Sequence, residues 1–196
     1  MLPMNEMLVE KNTEIQDFIH STSFQNVDSY KAFGIHPVLC HGDFSAGNIF
    51  FVKDTNTIKS ILDWKFTHSS TGLNDVARLL LTSVNSSLRV KHVDEWLSLY
   101  TNSFNAALKR HRRGGASAPT RYTPELVRRM FDAELGSQLL YAVAFLADAY
   151  ERVCDSDALD DSIKDGIRTG LMGRIVHGFK MLMSDGIKSQ IKIREK

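Results

Sequence analysis

Three polar side chains, His41, Asp43 and Asn48, interrupt an otherwise apolar stretch in "VLCHGDFSAGNIFF", residues 38–51. An unpaired polar group in a buried strand costs roughly 1–3 kcal/mol, so such a stretch persists only where partners or chemistry compensate. A fourth candidate, Asp63, follows in "TIKSILDW". An amide oxygen and a carboxylate are hard donors suited to Mg²⁺, which takes one or two protein carboxylates and fills its other positions with water and phosphate oxygens. Asp43 precedes Asn48 at the mouth of the same loop, where it can accept a proton from an attacking hydroxyl. A base, an amide ligand and a second aspartate beyond a strand form the set that phosphoryl transfer uses, because there the protein positions the nucleophile while a metal neutralises developing charge.

To bring Asp63 beside Asn48, the chain between them must double back. "NIFFV" and "TIKSILDW" are rich in Val, Ile, Phe and Trp and are separated by "KDTN", a turn composition, which predicts a β-hairpin. A turn between Thr55 and Asn56 sets Asn48 opposite Asp63, with Cβ atoms about 4.5–5.5 Å apart. "PVLC" reads as a further strand. Upstream, Met7, Leu8, Ile15, Phe18 and Ile19 predict a short helix over 5–20, followed by the polar loop "STSFQNVDSYKAFG".

After Gly72 the pattern turns helical. Asp75 is placed to cap a helix through "VARLLLTSV", and Val93, Trp96, Leu97, Tyr100, Phe104 and Leu108 recur at helical spacing on a second. The loop "HRRGGASAPTRYTP" leads to a third helix from Pro124 to about Tyr150, whose second half is apolar nearly all round and therefore central. A fourth carries Ile163, Ile167, Leu171, Ile175, Phe179 and Leu182 on one face, and "KSQIKIREK" reads as a frayed tail. The expected fold is α+β and predominantly helical, a small β-hairpin with a helical bundle.

"HGDFSAGN" and "ILDW", within "FGIHPVLCHGDFSAGNIFF…ILDWKF…GLNDVARLL", resemble the HGDxxxxN motif and metal-binding Asp segment of the aminoglycoside phosphotransferase and choline kinase superfamily. The likeness is greatest to its CHK kinase-like group, which includes ecdysteroid-kinase-like and nematode DUF1679-type proteins. The resemblance implies a protein-kinase-like C-terminal lobe with Asp43 as catalytic base, His41 as an orienting group, Asn48 and Asp63 as Mg²⁺ ligands, and Asp75 as a structural anchor. ATP and Mg²⁺ are the implied cofactors, and a small-molecule hydroxyl is the implied acceptor. The chain departs from that pattern in having no Gly-rich phosphate loop and no strand lysine before His41, so the N-terminal lobe is expected to be missing. The expected division is residues 1–36 as N-terminal helix and loop, 37–190 as the catalytic lobe, and 191–196 as tail. Lys65, where an acid or glutamine often follows the Asp-Trp pair, would compete with metal for Asp63. The competing reading is a non-catalytic lobe remnant that acts as a binding module.

Composition narrows the alternatives. In 196 residues, 24 basic and 23 acidic side chains nearly cancel, so no global field marks a nucleic-acid binder. The longest apolar run, "LLYAVAFLA" at 139–147, is half the length a membrane span needs. Cys40 and Cys154 show no CxxC spacing, which argues against a zinc site or disulfide framework and fits a cytoplasmic setting. Ser45 lacks the nucleophile-elbow glycine at position 43, and Cys40 reads as core. "KRHRR" at 109–113 fits a helix end better than a nucleic-acid patch. His36, His68, His92, His111 and His177 have no metal-ligand spacing.

Overall fold

The computed structural model describes residues 29–111 and 121–182. The helix expected over 5–20, the centre of the 111–124 loop and the tail lie outside the described residues. A four-residue helix α1, Ser29–Ala32, leads into four short strands: β1 Val38–Cys40, β2 Ile49–Phe51, β3 Ile58–Ile61 and β4 His68–Ser70. Four helices follow: α2 Leu73–Ser83, α3 Ser86–His111, α4 Pro124–Cys154 and α5 Asp161–Leu182. The described chain is thus mostly helical, with a small β region at its start.

The strands form two separate antiparallel pairs, β1 with β4 and β2 with β3. β4 was not apparent from "HSS". It is a strand because β1 offers an open edge, with Val38 opposite Ser70 and Cys40 opposite His68. The β2–β3 hairpin is present, but its register differs from expectation: Ile49 opposes Ile61 and Phe50 opposes Ser60, whereas Phe51 opposes Ile58. Lys59 is therefore the extra residue of a bulge. The turn is set by Asp54 in the left-handed region (φ 59°) and closed by the Thr55 N–H on the Val52 carbonyl at 3.1 Å. Asn48 consequently meets Leu62, not Asp63, and its carbonyl accepts the Leu62 N–H at 2.9 Å.

The core lies among the helices. Val127, Met130, Phe131, Leu135, Leu139, Ala142 and Leu146 recur at three and four residues along α4 and are buried, as are Leu73, Ala77, Leu80 and Leu81 of α2. α4 packs along α2, α5 and α3, the central position its apolar second half predicts. Pro124 opens it, and the Thr123 hydroxyl caps it by accepting the Leu126 N–H at 3.2 Å. In α5, Leu171 and Ile175 are buried, whereas Ile163 and Ile167 of the first turns are exposed. Phe179 and Leu182 lie outside the described side chains. Lys109, Arg110 and His111 occupy the last turn of α3, where positive charge favours the helix dipole.

Buried polar groups tie the layers together. The Glu134 carboxylate of α4 accepts hydroxyl hydrogen bonds from Ser29 at 2.6 Å and Thr71 at 3.2 Å, fixing α1 and the end of β4 to the bundle. At the C-terminal end of α2, Arg89 donates to the Leu80 carbonyl at 2.7 Å and Arg174 to the Thr82 carbonyl at 2.7 Å, satisfying carbonyls that the helix cannot. Arg89 also donates to His177 Nδ1 at 2.9 Å, which requires that nitrogen to be unprotonated. Burial, then Arg89, then Lys180 lower the His177 pKa below its ordinary 6.5. The unfolded chain therefore takes up this proton first as pH falls. The stability due to His177 is complete above about 6.5 and is lost as pH drops toward the lowered folded value. Urea midpoints measured between about pH 7.5 and pH 5 should fall further for the wild type than for His177→Gln. Equal falls would remove His177 from the acid response.

Candidate active site

The candidate residues sit on the segments that join the strands. Gly42, between His41 and Asp43, has a φ of 85°, and this left-handed turn breaks the line of β1 and redirects the chain. Asp75 holds the turn from below. It lies in the first turn of α2, whose cap position is Gly72, so it does not cap that helix as expected. Its carboxylate instead accepts the backbone N–H of His41 at 2.6 Å and of Gly42 at 2.9 Å.

His41 is buried and links two loops. Its Nδ1 accepts the Asp43 N–H at 3.2 Å, so the ring proton resides on Nε2, which donates to the Leu62 carbonyl at 2.7 Å. Trp64 and Phe44 flank the ring, with centroids 4.7 and 5.7 Å away. One imidazole thus holds the amide of Asp43 and the carbonyl immediately before Asp63.

Asn48 closes a short 3₁₀ turn over Ala46–Asn48. Its Nδ2 donates to the Asp43 carbonyl at 2.9 Å and approaches Asp43 Oδ2 at 3.5 Å. With the amide nitrogen committed, Oδ1 is the group left to act as an oxygen ligand. Asp63 stands in the left-handed region (φ 65°, ψ 56°) ahead of a second 3₁₀ turn, Trp64–Phe66. Its Oδ2 receives Lys65 Nζ at 3.0 Å, the cationic competitor expected at that position. An amide oxygen and a carboxylate fit Mg²⁺ by donor type. Among the described residues, no three His, Cys, Asp or Glu side chains cluster closely enough to hold a metal by themselves.

Sequence patterning gave no sign of Arg78, the residue that engages Asp43 from the helix side. Its Nη1 lies 3.2 Å from Asp43 Oδ1. Helical periodicity assigns an arginine to the solvent face, and only the fold brings this one over the loop. Cys40 is core, as expected, and burial, foremost among several causes, pushes its thiol pKa up to about 12, which makes it a poor nucleophile. Ser45 is also buried. Around the site, Leu39, Phe50, Phe51, Ile58, Trp64 and Phe66 are exposed, so these loops gain little from apolar burial and rely on hydrogen bonds for their shape. Among the described residues, no helix is long and apolar enough to cross a membrane.

Comparison with known proteins places the chain in a family. It is 28% identical over 86 residues to the Caenorhabditis elegans protein named "Uncharacterized oxidoreductase dhs-27", a match covering 40% of this chain and 10% of that protein. The chain therefore spans about a tenth of the length of this curated relative, whose name describes a much larger whole. No solved structure matches. The profile of the DUF1679 family, described as "Uncharacterized oxidoreductase dhs-27", matches residues 3–176, nearly the whole chain, and the protein belongs to that family.

Proposed function

We propose that the chain is a kinase-like phosphotransferase lobe that moves a phosphoryl group from ATP to the hydroxyl of a small molecule in the cytoplasm. The observation that carries this reading is the His41 ring, which bonds the Asp43 amide on one side and the Leu62 carbonyl, next to Asp63, on the other. That link ties the base to the segment bearing the acidic ligand. In this reading Asp43 orients the acceptor hydroxyl and takes its proton, and Asn48 fixes the loop through its amide nitrogen. Mg²⁺ held by Asn48 and Asp63 would supply neutralisation of phosphate charge. The free cysteines Cys40 and Cys154 suit a reducing compartment.

The test is thermal melting with and without MgATP. A ligand at one hundred times its Kd adds about 2.7 kcal/mol, an increment that should vanish in Asp63→Ala. Lys65→Ala should enlarge the shift by freeing Asp63 Oδ2.

The Lys65–Asp63 pair also favours a second reading, a non-catalytic lobe in which the cation replaces the metal. No shift at millimolar MgATP in either the wild type or Lys65→Ala would overturn the phosphotransferase reading in favour of this one.

A further inference from the structure

We propose that Arg78 is a positioning residue that sets the orientation of the Asp43 carboxylate, and that Gln138 and Tyr141 of α4 set Arg78 in turn. The role assigned to Asp43 rests on the phosphotransferase reading, but the geometry of the clamp does not. Arg78 is only 8% exposed, and three contacts define its guanidinium. Nε donates to Gln138 Oε1 at 2.8 Å, Nη1 to Asp43 Oδ1 at 3.2 Å, and the guanidinium carbon lies 4.6 Å from the Tyr141 ring centroid.

A planar guanidinium fixed along one edge and one face has little freedom to follow a moving carboxylate. Burial weakens its hold on its proton, and the Asp43 charge is foremost among those opposing this. Arg78 therefore depends on Asp43, since removing the carboxylate would leave a buried guanidinium without this opposing charge.

The consequence for chemistry is directional. With Oδ1 turned to Arg78, Oδ2 is the oxygen left to meet an incoming hydroxyl, at the 3.5 Å margin of the Asn48 amide. Asp43 is 24% exposed, so an acceptor can approach it, and it presents one edge. A carboxylate free to rotate would present its lone pairs in several directions, and small misplacements of a reacting group cost up to about 10²-fold in rate.

Arg78→Lys, Arg78→Met and Gln138→Leu test this in the full chain, with folding checked by circular dichroism. The first readout is the side-chain carboxyl ¹³C resonance of Asp43, assigned by its loss in Asp43→Asn. It should move in all three variants, including Gln138→Leu, where the altered side chain bonds Arg78 and, among the described residues, makes no direct contact with Asp43. The second is ADP release from MgATP with water as acceptor. Arg78→Met should lower kcat about 10–100-fold with KM for MgATP within about threefold, and Arg78→Lys should recover part of the loss. An unmoved resonance in folded Gln138→Leu and Arg78→Lys, or an unchanged kcat in folded Arg78→Met, overturns the proposal. If the wild type releases no ADP to water, the carboxyl resonance alone decides the role of Arg78, while the phosphotransferase reading stands or falls on the MgATP melting shift.

Discussion

Replacing Gly42 with alanine should destabilise the protein by about 2–5 kcal/mol, combining the cost of a left-handed non-glycine residue with that of overpacking. At φ 85° an L side chain is strained in any surroundings, and here there is no room for it. A Cβ would collide with the Phe66 carbonyl oxygen and lie 2.9 Å from both the Phe66 carbonyl carbon and its Cβ. Most of the obstruction is backbone, which cannot swing aside as a flexible side chain would. Relief requires the His41–Asp43 turn to separate from the Trp64–Phe66 turn, which breaks the reach of His41 to the Leu62 carbonyl. For a domain of this size each kcal/mol lowers Tm by about 2–4 °C. Calorimetry giving Gly42→Ala a wild-type Tm would mean that the two turns are not packed as described.

Asp75→Ala should be at least as damaging and for a different reason. The carboxylate accepts two backbone N–H groups, of His41 and Gly42, at 2.6 and 2.9 Å. Hydrogen bonds to a charged group are worth roughly 1.5–3 kcal/mol each, and the first turn of α2 favours the negative charge by about 0.3–1 kcal/mol more. Loss of both bonds and the charge predicts a destabilisation of about 3–7 kcal/mol. Asp75→Asn should fall between wild type and Asp75→Ala, because an amide offers one acceptor and turns a donor toward the other N–H. Urea unfolding of the three proteins should therefore rank them wild type, Asn, Ala. Identical midpoints for Asn and Ala would mean that only one of the two bonds contributes.

Asp75 was already a candidate in the sequence, whereas the demand on Gly42 emerged only from the packing of the two turns. His41, Asp43 and Asn48 stand out because polar residues in an apolar stretch require an explanation, Asp63 was reached through the hairpin, and the anchoring of Asp75 was implied only by the family resemblance. The hairpin was legible from Ile, Phe and Val on either side of "KDTN". Its register was not, because the Lys59 bulge and the left-handed Asp54 shift the pairing by one residue without any compositional mark. β4 was illegible for a related reason: "HSS" has no strand propensity and exists as a strand through its partner β1. Arg78 was hidden because its bonding partner Gln138 lies 60 residues further along the chain, a distance no local pattern spans. Ile163 and Ile167 carried the right spacing but stay partly exposed, since periodicity gives the face of a helix and not how deeply each turn is buried.

Among the described residues the two sheets have two strands each, whereas the helices share a continuous apolar core. An isolated pair of strands is marginal in water, so β2 and β3 depend on what adjoins them. The amides of β2 and β3 should accordingly exchange with deuterium through a local opening well below the free energy of global unfolding, while those along the middle of α4 exchange only when the whole chain unfolds. The loops that carry Asp43 and Asp63 would then form a separate cooperative unit that can melt and re-form while the bundle stands. Far-ultraviolet ellipticity, dominated by helix, would scarcely register that event.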